Sequence, residues 1–241
     1  MSRSFEEIEN NRKKGSFKFG QWLVKVLYHR PKFFYIGEEL PEKFLFIVNH
    51  CGSNTPTRVE CYFPRKFYMW GTYEMTEGVK AVRKYLIYTY YHQKKRMPIF
   101  FAHIVGTIFA PFANMFYQGM HIIATYQDSR FINTINQSMQ ILKENKGIVV
   151  YPEDSSHGYK DQIDTFYHGF LMLCEATLRK GMDLPIFVAH YHKKKKTFII
   201  DKPIKYSELA AKHNGDRSAM SEQMRLRMNE LAYYPIDKKK K

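Results

Sequence analysis

The sequence predicts one α/β domain with a mixed, largely parallel sheet flanked by helices. Two observations lead to this prediction. Hydrophobic residues make up 44% and aromatic residues 16% of the 241-residue chain, which is enough for a packed core and argues against disorder. Short continuous apolar runs also alternate along the chain with segments whose apolar residues recur at helical spacing, as in α/β domains.

The first apolar run, residues 44–49, is apolar on both faces, which is typical of an interior strand of a covered sheet. Further strands are predicted at 66–70, 121–125, 148–151, 184–191 and 197–201, with a turn at 193–196. Helices are predicted at 19–28, 131–146, 164–180 and 216–232. The last helix carries an apolar stripe, which we assign to the core: Met220, Met224, Met228 and Leu231.

The chain divides into a basic N-terminal segment (1–40), the α/β domain (41–236) and a lysine tail (237–241). Residues 1–18 are highly charged, so we expect them to be loose. The short helix at 19–28 is amphipathic, and its apolar face comprises Trp22, Leu23, Val26 and Leu27. We predict that this face packs on the domain; the alternative is an interfacial anchor with Trp22 at the depth of lipid headgroups.

Residues 99–116 carry no formal charge and are rich in Phe, Ile and Ala. The stretch also contains His103, Gly106, Pro111 and Asn114, and its length is marginal for a membrane span. We therefore predict a buried or interfacial pair of helices broken near Pro111, in preference to a spanning helix.

Charge and cysteine content restrict the class of partner. Lys and Arg number 38 against 23 Asp and Glu, and the formal net charge of +15 implies an anionic partner. The lysine runs 193–196 and 238–241 suit an anionic membrane surface or nucleic-acid phosphates. The sequence has no helix-turn-helix, RNP or zinc signature, so we expect no specific nucleic-acid partner. Three cysteines without metal or disulfide spacing predict no metal site and fit a reducing cytoplasm.

His50 directly follows the apolar run 44–49 and precedes small polar residues that include Ser53 and Thr55. A neutral imidazole at a strand end can act as general base on a hydroxyl. The alternative is a histidine that only caps the strand. This motif alone leaves both interpretations open.

Two further polar segments follow predicted strands. Glu153, Asp154 and Ser155 come after the strand 148–151, where they suit contacts to a hydroxyl or a phosphate, or form an ordinary polar turn. Arg130 lies ahead of the helix 131–146, where an arginine can hold a phosphate. Taken alone, the Arg130 motif favours a surface arginine that is paired with Asp128.

In order and spacing these segments resemble the glycerol-phosphate and lysophosphatidate acyltransferase family, over roughly residues 44–232. Each motif alone is degenerate, so the resemblance rests on the occurrence of all the motifs together and in the same order as in the family. The matching pieces are Asn49-His50, Arg130, Tyr151-Pro152-Glu153, Phe166-Tyr167-His168-Gly169, Pro185-Ile186-Phe187-Val188 and Asp201-Lys202-Pro203-Ile204.

The sequence departs from the family pattern in its catalytic motifs. The family's catalytic Asp, five residues after the His, corresponds to Thr55, and the Ser two residues after the His corresponds to Gly52. Its Gly-Thr-Arg-Ser block is replaced by residues 154–157, which contain no Arg. Loss of the equivalent carboxylate from a Ser-His-Asp triad costs about 10⁴ in rate. Either another carboxylate (Glu153, Asp154 or Glu60) supports His50, or turnover is weak or absent.

The resemblance implies an O-acyltransferase of phospholipid synthesis, peripheral to the inner, cytoplasmic face of the membrane. It would move a fatty acyl group from acyl-CoA or acyl carrier protein to a hydroxyl of a lysophospholipid or glycerol phosphate, with no other cofactor. The residues implied are His50 and Thr55 for catalysis, and Arg130, Glu153, Asp154, Ser155 and Ser53 for substrate binding. The alternative is a catalytically weak or inactive lipid-binding protein of the same fold.

Overall fold

The computed structural model describes residues 3–51, 54–155, 158–159 and 162–236. The helices are α1 (Phe5–Lys13), α2 (Gly15–Leu27), α3 (Asn54–Tyr62), α4 (Val79–Lys84), α5 (Ile99–Gly119), α6 (Phe131–Lys143), α7 (Gly169–Leu178), α8 (Tyr206–Lys212) and α9 (Arg217–Leu231). α4 continues into a π-helical segment, Tyr85–Lys94, called the π segment below. The strands are β1 (Lys32–Tyr35), β2 (Leu45–Val48), β3 (Phe67–Thr72), β4 (Ile122–Thr125), β5 (Gly147–Val150), β6 (Pro185–His192), β7 (Thr197–Ile200) and β8 (Ile204–Lys205).

The strands form one mixed sheet in the order β1-β7-β6-β2-β5-β3-β4, with β8 beside β6. β2 pairs in parallel with β5 and β6, and β3 pairs in parallel with β5 and β4. β7 runs antiparallel to β6, and β1 follows the direction of β7. The predicted fold class is therefore confirmed. The carboxyl ends of β2, β3, β4 and β5 share one edge of the sheet, which is where α/β domains bind ligands.

Both faces of the sheet are covered, which explains the continuous apolar run at 44–49. Leu45 and Ile47 belong to a core that α6, α7, α8 and α9 complete. Phe46 and Val48 belong to a second core on the other face, with contributions from α2 and α3. The predicted methionine stripe of α9 is fully buried in the first core, so its assignment to packing is confirmed.

Residues 5–13, which the charge pattern predicted to be loose, form the helix α1, so that prediction is wrong. The Ser4 hydroxyl caps the helix by accepting the Glu7 amide at 3.1 Å, and Ile8 is buried. Arg12 pairs with Glu60 of α3. These tertiary contacts hold a sequence of low hydrophobicity in a helix. β1 also lies within residues 1–40, so the N-terminal segment contributes a strand to the sheet.

The apolar face of α2 does not pack on the domain, contrary to our prediction. Trp22 is 57% exposed, Val26 61% and Leu27 65%. The opposite side of the helix packs on the C-terminal end of α5 through the stacked rings of Phe17 and Phe116, 5.4 Å apart. Within the described residues, the apolar face of this amphipathic helix is therefore uncovered.

Residues 99–119 form one continuous helix, so the predicted break near Pro111 is wrong. The buried side of α5 carries the small residues Ala102, Gly106 and Ala110 at intervals of one turn, and Gly106 lies against Ile87 of the π segment. This close packing supports the helix although the proline removes one backbone hydrogen bond. Among the helices described, α5 is long and apolar enough to cross a membrane by length and composition, and 17% of its apolar window is buried.

Candidate active site

His50 and Glu153 come from segments that are distant in sequence and meet at the carboxyl edge of the sheet. β2 and β5 are parallel neighbours with Ile47 opposite Val150, so the chain leaves both strands at the same level. The backbone amide of His50 donates a hydrogen bond to Glu153 Oε2 at 3.0 Å. The fold therefore brings together the two motifs that the sequence singled out.

Asn49 fixes the direction in which the chain leaves β2. Its side-chain Oδ1 accepts the backbone N–H of Tyr191 at 2.6 Å, and its Nδ2 donates to the Tyr191 carbonyl at 3.3 Å. Tyr191 lies in β6, the other parallel neighbour of β2. The side-chain amide therefore satisfies the main-chain amide of Tyr191 and shares its carbonyl with Cys51 Sγ, which donates at 3.8 Å, and it holds His50 at the edge of the sheet.

The Tyr151–Asp154 turn is pinned by a return segment of the chain. The Asp154 amide donates to the Thr165 carbonyl at 3.1 Å, and the Tyr167 amide donates to the Pro152 carbonyl at 2.7 Å. This extended pairing occupies residues 165–167, which is why the predicted helix at 164–180 begins only at Gly169. The side chain of Glu153 is held at a defined position as a result.

Two tyrosine rings enclose the imidazole of His50. The Tyr159 ring stacks on it with centroids 5.0 Å apart and an interplanar angle of 23°, and the Tyr151 ring meets it edge-on at 5.1 Å. Burial raises the pKa of both phenols, so both rings are neutral at physiological pH.

Glu153 is a buried carboxylate with a perturbed pKa. Burial raises its pKa from an ordinary 4.5 to about 7, against the lowering effects of the His50 amide and of Lys94. Burial also lowers the pKa of Lys94, which faces Glu153, Asp154 and Glu74. A buried carboxylate that titrates near neutrality beside a histidine is characteristic of functional sites.

Two cations lie beside Tyr159, the residue that stacks on His50. They are Lys94, the last residue of the π segment, and Lys95, which follows it. Their Nζ atoms lie 5.7 and 5.8 Å from the centroid of the Tyr159 ring. Gly158 lies against the Lys94 carbonyl, and its φ of +93° is a backbone conformation that suits glycine. The site therefore carries two lysine ammonium groups beside Tyr159 and, at Glu153, a carboxyl group whose pKa is raised by burial.

A cleft of about 300 Å³ opens beside Glu153. Its lining residues are Glu153, Asp154, Gly158, Gln162, Ile163, Asp164 and Thr165. Three carboxylates in one lining repel a phosphate but accept hydrogen bonds from hydroxyl groups. The cleft is therefore suited to the hydroxyl-bearing part of a ligand.

The remaining predicted residues near the strand ends have structural partners. Thr55 is fully buried, and its hydroxyl oxygen accepts the Cys51 amide at 3.2 Å. Ser155 is buried, and its carbonyl accepts the Gly158 amide at 3.0 Å. Glu60 is committed to Arg12 and the His121 amide, so it does not serve as the carboxylate for His50. Ser53 lies outside the described residues.

Arg130 is placed away from His50. It follows β4, three strand positions from β2, which corresponds to about 14 Å across the sheet. Its guanidinium forms a bidentate pair with Asp128, with N–O distances of 2.8 to 3.1 Å, and lies over the Tyr126 ring at 4.4 Å. The structure thus contains the surface ion pair that the motif alone favoured.

No protein-family model matches the chain, and no curated protein matches it. Among solved structures, the chain is similar to the crystal structure of the 1-acyl-sn-glycerophosphate (LPA) acyltransferase PlsC from Thermotoga maritima. The alignment covers 98% of this chain and 86% of that one, with 13% sequence identity and a TM-score of 0.48. This likeness assigns no role to any residue of the present chain.

Sequence reasoning missed Tyr159 and Lys94 as parts of the site. Tyr159 follows the polar turn and has no distinguishing neighbours, and Lys94 lies in a basic run that looks like a solvated helix end. Only the close approach of the π segment to residues 158–159 brings them to His50. Within the described ranges, no group of three or more metal-ligating side chains is present.

Proposed function

We propose that the protein is an O-acyltransferase that works at a membrane surface. The contact between the His50 amide and the buried carboxylate of Glu153, 3.0 Å apart at the carboxyl edge of the sheet, is the observation that carries this proposal. It joins a candidate general base to a group whose pKa of about 7 is tuned by burial. Glu153 also lines the cleft that would receive the acceptor hydroxyl.

In the proposed reaction, the His50 imidazole takes the proton of the acceptor hydroxyl. The oxygen attacks the carbonyl carbon of an acyl thioester, the C–S bond breaks, and the departing thiolate takes the proton back from the imidazolium. The products are an ester and a free thiol. Acyl-CoA or acyl carrier protein would supply the thioester, and a lysophospholipid or glycerol phosphate would supply the hydroxyl.

The acceptor would be oriented by the charge distribution of the site. Its hydroxyl would face Glu153, Asp154 and the acidic cleft, whereas its phosphate would face the cations of Lys94 and Lys95 beside Tyr159. Arg130 lies too far from His50 to hold the phosphate of a small acceptor in the arrangement described. Arg130 would hold the acceptor's phosphate only if the acceptor were a larger lipid, or if its ion pair with Asp128 were broken.

The apolar faces of α2 and α5 would attach the protein to the inner face of the membrane. Phe100 is 68% exposed and Phe112 65%, on the same uncovered side of α5. Burying such side chains in the interface is favourable by roughly 1.5–3 kcal/mol each. The buried side of α5 packs on α4 and the π segment. Lys94 of that segment lies over the Tyr159 ring that stacks on His50, which favours a helix in the interface over one that crosses the bilayer.

A second candidate function is lipid binding without turnover, and Thr55 favours it. A threonine at the position of the family's catalytic Asp brings no charge, and its hydroxyl already accepts the Cys51 amide. Stacking on Tyr159 would stabilise a His50 imidazolium by about 0.5–2 kcal/mol, which is less than the ~5 kcal/mol that corresponds to a 10⁴-fold rate effect. Turnover is therefore expected to be slow.

Product analysis of purified protein in zwitterionic vesicles tests the proposal. The protein is incubated with acyl-CoA or acyl carrier protein donors and with lysophosphatidate, lysophosphatidylcholine or glycerol phosphate, and ester products are identified by mass spectrometry. We expect slow ester formation, which Thr55→Asp accelerates by restoring a carboxylate at the start of α3. Vesicle binding without any ester, in both proteins, would favour the lipid-binding alternative.

A further inference from the structure

We propose that the pair formed by α4 and α5 carries a second ligand site, a pocket for the phosphate-bearing headgroup of an anionic phospholipid in a bilayer. This inference rests on the proposed attachment to a membrane and specifies which lipid the surface recognises. The pocket is separate from the His50 site, because it shares no lining residue with the cleft beside Glu153.

The pocket has a volume of about 370 Å³ and lies where α4 and the first turn of the π segment meet α5. Its lining residues are Lys80, Arg83, Lys84, Ile87, Tyr88 and His103. Three basic side chains therefore line one wall, an isoleucine and a tyrosine line the junction, and a histidine comes from the opposite helix.

The three basic side chains are available to an anion. Lys80, Arg83 and Lys84 are spaced by three and four residues, which places them on one side of α4, and all three are exposed. None of them pairs with an acidic side chain within the part of the chain that the structure describes. The nearest acids in sequence are Glu77, ahead of the helix, and Glu74, which accepts a hydrogen bond from Thr72. A guanidinium and two ammonium groups at one opening match a phosphate.

The helices that form the pocket are closely packed, so the opening is preformed. A Cβ added at Gly106 of α5 would lie 2.6 Å from Ile87 Cγ1, which shows that the two backbones approach closely there. The His103 ring meets the Tyr88 ring edge-on, with centroids 5.6 Å apart. A site on rigid elements loses less conformational freedom when it binds its ligand.

The surroundings identify a lipid, in preference to a soluble phosphate, as the occupant. On α5, His103 is flanked by Phe100 one turn earlier and Ile104 next to it, which are 68% and 45% exposed. Tyr88 is 49% exposed, and tyrosine is enriched at the level of lipid headgroups. A headgroup phosphate in the pocket would thus lie next to apolar side chains that are suited to acyl chains.

Binding to vesicles of two compositions tests this site. The full-length protein is mixed with vesicles of phosphatidylcholine alone or of phosphatidylcholine with a minor fraction of phosphatidylglycerol, and the bound fraction is measured by flotation. Each basic side chain near an anionic surface contributes roughly fivefold to partitioning. The triple variant Lys80→Ala, Arg83→Ala, Lys84→Ala should therefore lose about 100-fold in partitioning to anionic vesicles and keep its binding to phosphatidylcholine.

A matched control removes the same charge elsewhere, at three exposed lysines beyond α7, in β8 and at the end of α8: Lys180→Ala, Lys205→Ala, Lys212→Ala. This control should keep the preference for anionic vesicles. An equal loss in both triple variants would mean that net charge alone drives binding, and it would overturn the pocket. Inorganic phosphate at the same ionic strength should not release the protein, since release would indicate a site for soluble phosphate.

The proposed acyl transfer is measured separately, in phosphatidylcholine vesicles, where the pocket variant should keep the wild-type rate. Failure of acyl transfer in the wild-type protein would leave the preference for anionic vesicles measurable. Circular dichroism confirms that both triple variants are folded, so loss of lipid selectivity is attributable to the pocket.

Discussion

Replacing Glu153 with glutamine should stabilise the protein at neutral and alkaline pH. Burial raises the pKa of Glu153 from 4.5 to about 7, so the folded state favours the protonated form. Between pH 4.5 and about 7 the Glu153 carboxyl is ionised in the unfolded chain but still protonated in the folded protein. The free energy of unfolding therefore falls as the pH rises through this range. This difference in pKa corresponds to about 3 kcal/mol. Glutamine never ionises, and its carbonyl oxygen can still accept the His50 amide.

The assay is urea unfolding of wild type and Glu153→Gln between pH 4 and pH 8. This range includes both the ordinary pKa of a glutamate and the raised pKa of Glu153. The two proteins should have similar stability below pH 4.5, and the variant should gain up to about 3 kcal/mol above pH 7. Lys94 loses an attractive partner in the variant, which reduces the gain. Glu42→Gln, at an exposed position, is the control. A variant that is no more stable than wild type at pH 8 would refute the burial of a charged Glu153.

Three further predictions concern the fold and the membrane face. Asn49→Ala should destabilise the protein by roughly 1–3 kcal/mol in urea unfolding, because the buried amide of Tyr191 loses its acceptor and its carbonyl keeps only the Cys51 thiol; unchanged stability would argue against this role. Gly147→Ala should cost about 1–3 kcal/mol, since its Cβ would lie 2.0 Å from the Phe44 ring, and unchanged stability would contradict this packing. Trp22→Ala should weaken binding to phosphatidylcholine vesicles about 30-fold without altering stability, and equal binding would exclude α2 as the anchor.

The sequence predicted the strands at the centre of the fold because their burial requires it. Residues 44–49 and 148–151 are apolar on both faces, and the structure places β2 and β5 side by side between two cores. The prediction of candidate residues at the ends of these strands followed from the general behaviour of parallel sheets. That His50 meets Glu153 could not be predicted from spacing, because it depends on which strands are neighbours.

The sequence is less informative where contacts between distant segments decide the structure. α1 contains few apolar residues, and its helix depends on the Ser4 cap and on Arg12 pairing with Glu60. The apolar face of α2 was predicted to pack on the domain, since large exposed apolar patches are uncommon on protein surfaces. Trp22 shows where that assumption fails. Lys94 reaches the site only through the course of the π segment.

The most direct test of the central claim is the rate of acyl transfer by wild type, His50→Ala and His213→Ala in the same vesicles. His213 lies beyond α8, where it contacts Gln223, so it serves as a matched histidine control. We predict slow transfer by wild type and His213→Ala, and a rate lower by roughly 10²-fold or more in His50→Ala, the contribution typical of a general base. Equal product from wild type and His50→Ala would contradict this prediction.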